Sequence, residues 1–381
     1  MLPAPSADAL AHSQRVVAHL RALIADAGGW VPFSRFMEAA LYAPGLGYYS
    51  AGTAKFGAAG DFVTAPEVTP LFGRTVARAI APMLAATGGD VLELGAGSGR
   101  LAADVLGELE QLGTLPARYA ILEVSADLRQ RQQDRLGRER PHLVERVHWL
   151  DALPGHFTGV ILGNEVLDAL PVELVHWTEG GPRERGVGVD DGRFVWQDRP
   201  ITEPRLRARA EALALAPGYV SEINLAAEAL VASLGARLAY GLILLVDYGF
   251  AAAEYYHPQR HMGTLRAHYR HHALDDPFYL PGLCDLTAHV DFSAMASAAR
   301  EAGLALAGYT SQAAFLLGSG LTELLMQTPP SDAAAYLPQA NAAQRLVSPA
   351  EMGELFKVLA LTRGTVPPLA GFARGDRRHA L

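Results

Sequence analysis

Short apolar runs, each followed by a stripe of helical spacing, recur through the middle of the chain. DVLELG (Asp90–Gly95), YAILEV (Tyr119–Val124), RVHWL (Arg146–Leu150) and GVILG (Gly159–Gly163) have the length of strands rather than helices. Arg100–Leu112 and Ala126–Leu136 between them carry apolar residues at the spacing of an amphipathic helix. A helix at Leu225–Leu238 then precedes GLILLVDYG (Gly241–Gly249), another central strand. Buried strands alternating with amphipathic helices predict an α/β protein. Its sheet should be mostly parallel and doubly wound, with helices on both faces.

The pattern differs on either side of this core. Ser6–Ala27 and Phe33–Tyr42 read as helices, Pro44–Gly60 as a glycine-rich loop, and Thr69–Ala86 as helix again. After Leu170 two turn signals, Gly180-Gly181-Pro182 and Asp190-Asp191-Gly192, separate alternating segments and predict an inserted antiparallel ribbon. Phe250–Val290 has no clear period and reads as a long functional loop. Ser293–Ala302 reads as helix, followed by an alanine-rich helical stretch to Leu346. MGELFKVLALTRG reads as a helix running into a final strand. The expected division is 1–88 (helices and glycine-rich loop), 89–249 (core, with the ribbon at 172–198), 250–346 (loop and helical substrate subdomain) and 347–381 (a helix and strand returning to the core).

Composition narrows the function classes. Half of the 381 residues are hydrophobic and 19% are charged, which is globular rather than disordered. The net charge of −8 offers no basic face for nucleic acid. The lone Cys284 excludes disulfide frameworks and cysteine zinc clusters, and suits a reducing compartment. No apolar run reaches the length of a membrane span. The first residues resemble neither a signal nor a transit peptide, so a cytoplasmic bacterial protein is expected, or a matrix protein if the source is eukaryotic. Monomer and homodimer both remain open.

The strongest local signal is VLELGAGSGR. A glycine loop after a strand and before a helix lets a polar ligand approach the backbone at the helix start. Gly95, Gly97 and Gly99 give G-x-G-x-G, with Arg100 where the dinucleotide fingerprint needs a third small residue. Together with Glu93 this resembles the S-adenosylmethionine loop of Rossmann-like methyltransferases. Glu123, ending the second strand, is placed to accept hydrogen bonds from both ribose hydroxyls, with Val124 beside it. Asp151 and Ala152, after the third strand, would lie near the adenine amine. Asp151 serves equally as a turn residue before Pro154.

Several stretches together point further. FMEAALYAPGLGYYS, GDFVTAPEVTPLFG, ILEVSADLRQRQ, GNEVLDALPVELV, GTLRAHYRHH and DLTAHVDFS resemble the MidA-type methyltransferase family, in the family's order, from about Trp30 to Arg363. Its mitochondrial members are complex I assembly factors. The resemblance implies a Rossmann-like class I fold and S-adenosylmethionine as cofactor, with S-adenosylhomocysteine as product. It also implies symmetric dimethylation of an arginine on a respiratory complex I subunit or its bacterial equivalent. A nicotinamide-dependent oxidoreductase and a non-catalytic assembly partner are the competing readings; Arg100 argues against the first.

Methyl transfer to arginine sets requirements that can be matched to residues. Guanidinium keeps its proton and delocalises its lone pairs. Carboxylates clamp its planar fork and hold its charge on the far nitrogens. Within GNEVLDALP, Glu165 and Asp168 are the expected guanidinium ligands, and Asn164 positions the acceptor or the cofactor's amino group. The same residues would also serve as cap and first-turn acids of a helix. In GDFVTAPE, the residues Gly60, Asp61, Thr64 and Glu67 are expected at the methionine end of the cofactor, with Thr64 or Thr69 as a helix cap in the plainer reading. His289 in DLTAHVDF is the candidate base, and Asp247 of VDYG ends the fifth strand on the same edge. The spacing of HYRHH fits no metal site, so no metal is expected. Glu222 has no local explanation.

Overall fold

The computed structural model describes residues 2–51 and 64–381. The chain forms two compact units, each assembled from separated segments. One comprises Val63–Val166, Leu230–Ala251 and Phe292–Leu381; the other comprises Met1–Phe62, Leu167–Ala229 and Ala252–Asp291. The four consecutive segments expected from the sequence divide the chain differently, because strand pairing joins residues far apart in sequence.

The first unit holds the core sheet. Its strands are β1 (Asp90–Leu94), β2 (Tyr119–Leu122), β3 (Val147–Leu150), β4 (Phe157–Asn164), β5 (Leu238–Phe250), β6 (Ala305–Ser311) and β7 (Phe356–Arg363). They lie in the order β3-β2-β1-β4-β5-β7-β6. β1 to β5 pair in parallel, while β7 runs antiparallel to both β5 and β6. Consecutive residues Val160, Ile161 and Leu162, and Leu242 to Val246, are all buried. Side chains alternate between faces, so both faces of the sheet are covered. This is the fold expected from the strand rhythm. The order reverses between β1 and β4, whose ends pair Leu94 with Gly163. In open sheets of this kind ligands bind beyond the carboxyl ends of the strands at such a reversal.

The second unit is antiparallel. Glu173–Thr178 pairs with Gly181–Asp190, which also pairs with Arg193–Pro200 and with Trp30–Pro32; Val220–Ile223 joins the other side of Glu173–Thr178. Helices Ala7–Asp26 and Phe33–Tyr42 bury Val16, Leu20, Phe33, Phe36 and Met37 in its core. The hydroxyl of Ser6 caps the first helix by accepting from the amide of Ala9.

Three expectations are corrected. The alanine-rich stretch after Ala302 contains β6, because alanine and glycine there pair against β7 instead of coiling. Phe250–Val290 is not all loop: Arg266–Tyr269 pairs with His272–Leu274 and with Asp285–Thr287. No helix precedes β7 at Met352–Leu355, which forms turns.

Candidate functional site

In the first unit, the glycine loop follows β1 directly. Gly95, Gly97 and Gly99 have φ values of 58°, 51° and 80°, a region closed to most side chains. The amide of Gly95 donates to the carbonyl of Leu122, which ties the loop to the end of β2. Helix Arg100–Gln111 starts at once. Glu67 belongs to the short helix Ala65–Val68, and its carboxylate accepts from the hydroxyl of Ser98 within the loop. The GDFVTAPE motif therefore reaches the glycine loop through its last residue. Thr64 makes no capping hydrogen bond, whereas Thr69 caps the next helix through the amide of Leu71. Gly60 and Asp61 lie outside the described residues.

Two acids stand below the loop. Glu93 is buried in β1 and accepts from the Tyr119 hydroxyl at 2.6 Å. Burial pushes its pKa up to about 7; the tyrosine bond opposes this and the charge of Glu123 adds to it. Glu123 is also buried, which raises its pKa. Its Oε1 accepts from the amide of Ser125 at 2.9 Å and its Oε2 from the Gln132 amide at 3.0 Å. The backbone amide of Val124 also donates to the carboxylate, and since a carboxylate offers about four lone pairs, accepting capacity is left for a further donor. Val124 next to it is an apolar side chain left 78% exposed. Asp151 and Ala152 are exposed, and Asp151 pairs with Arg129 at 2.6 Å.

The GNEVLDALP stretch leaves β4 as a turn, so its acids do not open a helix. Glu165 has φ 53°, a strained left-handed conformation for a non-glycine residue. Its amide donates to Val246 of β5, and the Asn164 amide donates to its Oε1 at 3.0 Å. Asp247, buried at the end of β5, fixes the turn by accepting from the amide of Val166 at 3.1 Å. Val166 in turn is the nearest group to the Cβ position of Gly95. The glycine loop and the start of the turn are thus neighbours. The unit boundary falls after Val166, so Glu165 belongs to this unit and Asp168 to the other.

In the second unit, Asp168 is buried and its carbonyl accepts from the amide of Ala288. The Tyr42 hydroxyl donates to the carbonyl of Ala169 at 2.9 Å, and Tyr42 stacks on Tyr49 with centroids 5.4 Å apart. The hydroxyl of half-buried Tyr49 lies 2.9 Å from both oxygens of buried Asp285. Burial raises the Tyr49 pKa well above its ordinary value, and the charges of Asp285 and Asp168 push it the same way. Gly47 makes this arrangement reachable: a Cβ there would strike the carbonyl carbon of Leu41, 2.5 Å away. Half-buried His289 donates its backbone amide to Thr264. Asp285 stands in DLTAHVDF, where the sequence puts Asp285, Thr287, His289 and Asp291 at the border of the acceptor site; Tyr49 stood inside a motif read from the sequence, yet no pattern singled it out. Glu222 is explained here: its carboxylate accepts from the amides of Thr264 and Leu265, both at 2.8 Å, and so holds that turn.

His257, His261, His271 and His272 are exposed, and Cys284 is buried. No group among the described residues could hold a metal ion.

Residues 75–310 match a family described as "Putative S-adenosyl-L-methionine-dependent methyltransferase". The chain belongs to this methyltransferase family. It is 30% identical to "Protein arginine methyltransferase NDUFAF7, mitochondrial" from Danio rerio, over 94% of this chain and 92% of that protein. The human protein of that name is 29% identical, over 87% and 80%. A COG1565 superfamily member from Burkholderia thailandensis, crystallised with S-adenosyl-homocysteine, is 54% identical. It covers 100% of both chains with a TM-score of 0.97. S-adenosylmethionine is accordingly the cofactor of this methyltransferase. Its own residues fit that ligand: a loop of left-handed glycines, an acid at the end of β2 with accepting capacity left, and the open apolar side of Val124.

Proposed function

We propose that the protein methylates an arginine side chain of a protein substrate, to the symmetric dimethyl state. The observation that carries this reading is Asp168, buried beside Tyr49 and Asp285 and following a β4 turn that holds a strained Glu165. Neighbouring carboxylates favour a ligand that brings both positive charge and several donors. A guanidinium supplies both, with five donors and a permanent charge. The names of the arginine methyltransferase relatives point the same way.

S-adenosylmethionine supplies an electrophilic methyl group on a sulfonium. In this reading the glycine loop admits its amino acid and ribose to the backbone. Glu123 accepts from the ribose hydroxyls, Val124 covers the adenine, and Asp151 and Ala152 border it. Glu67, Thr64 and Asn164 border the methionine end. Glu165 and Asp168 grip the guanidinium and draw its positive charge to the nitrogens they bind, which leaves the third nitrogen more nucleophilic. Alignment of nucleophile and methyl is then the main catalytic device, with an upper range of about 7–11 kcal/mol. Asp168 or His289 receives the proton released after transfer. The substrate the family resemblance implies is a subunit of respiratory complex I.

The test is labelled S-adenosylmethionine with the purified protein and a matched cell extract, followed by mapping of the modified residue. Label on an arginine is expected, and label confined to small molecules or nucleic acid would overturn the proposal. Glu165→Gln and Asp168→Asn should each lower transfer by at least a hundredfold, while S-adenosylhomocysteine affinity stays within about threefold. Wild-type turnover in both would remove these residues from the mechanism.

A further inference from the structure

Helix Ala126–Glu139 (ADLRQRQQDRLGRE) is polar almost throughout. Its buried positions are Leu128, Gln132 and Leu136, spaced one turn apart, so a glutamine occupies the middle of the apolar stripe. Gln132 is completely buried. A buried primary amide is unfavourable by several kcal/mol unless its donors and acceptors are met. Here they are met by groups from three neighbouring strand ends. Its Nε2 donates to the carbonyl of Gly97 in the glycine loop and to Oε2 of Glu123, both at 3.0 Å. Its Oε1 accepts from the indole Nε1 of Trp149 in β3 at 2.9 Å. Two acceptors on one side and a donor on the other fix the orientation of the amide. Gly99 packs directly on it, since a Cβ there would lie 3.2 Å from the Gln132 Cα.

From this we infer that Gln132 is a positioning residue for the cofactor. It locks the glycine loop to the carboxylate of Glu123 and anchors both to β3. The inference rests on the reading of Glu123 as the ribose acceptor. The Glu123 carboxylate has two degrees of freedom to lose before it can meet a ribose diol: rotation about its own axis and protonation. The bonds from Gln132 and from the amide of Ser125 restrict the rotation and favour the anion, against the burial that disfavours it. A leucine at position 132 would complete the apolar stripe but release both the loop and the acid. The amide is therefore kept for the ligand site rather than for packing.

The test is calorimetric titration of S-adenosylhomocysteine into the full chain and into Gln132→Met, Glu123→Gln, the double variant and Gln132→Glu. Gln132→Met should bind at least tenfold more weakly, with kcat at saturating S-adenosylmethionine within about threefold of wild type. Its loss should be clearly smaller in the Glu123→Gln background, where only the bond to the glycine loop remains to be lost, because coupled residues are non-additive. Unchanged affinity in Gln132→Met overturns the inference whatever Glu123 does, and losses that simply add overturn the coupling. Glu123→Gln binding like wild type overturns the ribose reading instead. In Gln132→Glu the new carboxyl can donate only when protonated, so its affinity should rise at least tenfold from pH 8 to pH 6, while wild type changes little. This arm decides if Gln132→Met fails to fold, and a flat profile overturns the inference.

Discussion

Glu93 shows how one buried side chain links stability to pH. Burial raises its pKa to about 7 from the ordinary 4.5, with the Tyr119 hydroxyl acting against the shift. The unfolded chain therefore releases this proton near pH 4.5 and the native chain only near 7. Between those values the native state binds more protons, so stability falls as pH rises through the window. The cost is absent below about pH 4.5 and complete above about 7, where the shift corresponds to about 3 kcal/mol as an upper range. Glu93→Gln removes the charge and keeps an oxygen for Tyr119. Its melting temperature should exceed that of wild type at pH 8, and the difference should shrink toward pH 5. A difference that is constant from pH 5 to 8 would show that Glu93 does not titrate in this way.

At the scale of elements, the glycine loop is the most constrained feature of the site. Gly99 has φ 80° and faces the backbone of Gln132, so Gly99→Ala meets two penalties at once. A left-handed alanine costs about 1–2 kcal/mol, and the Cβ must also displace a helix at 3.2 Å. Gly99→Ala should lower stability by about 2 kcal/mol and weaken S-adenosylhomocysteine at least tenfold. Gly137 in the helix Ala126–Glu139 has open space at its Cβ, so Gly137→Ala should gain up to about 1 kcal/mol and bind normally. Denaturant melts and ligand titration of the two variants check this, and equal behaviour would overturn it. The loop was legible because glycine after a strand and before a helix has few other uses. Strands β1 to β5 were legible for a similar reason, since buried parallel strands are written as short continuous apolar runs. β6 was not: ALAGYTS has the composition of a helix, and only its pairing with the distant β7 makes it a strand. The acids of GNEVLDALP could be read, but not that Glu165 would take a left-handed turn, which depends on Val246 and Asp247 in β5. Gln132 was hidden in RQRQQD, where nothing local separates a buried glutamine from two exposed neighbours.

For the whole molecule, the division into two compact units bears on how ligand binding is read out. The glycine loop, Glu123 and Glu165 belong to one unit; Asp168, Tyr49, Asp285 and His289 belong to the other. With two units, a single melting temperature is not a single equilibrium. A ligand stabilises what it binds by RT ln(1 + [L]/Kd), about 2.7 kcal/mol at a hundredfold excess over Kd. S-adenosylhomocysteine should therefore slow hydrogen exchange first in the unit of β1 to β7, around Gly95–Gly99 and Glu123–Gln132. NAD at the same concentration should change nothing, because Arg100 stands where the dinucleotide loop needs a small residue. Glu165→Gln and Asp168→Asn should keep this protection, since both act on the acceptor in the proposed mechanism. A substrate peptide containing the target arginine should add protection around Leu167–Leu170 and Asp285–His289, and the Asp168→Asn variant should lose that second pattern alone. Protection by S-adenosylhomocysteine appearing only in the second unit would reverse the assignment of cofactor and acceptor between the two.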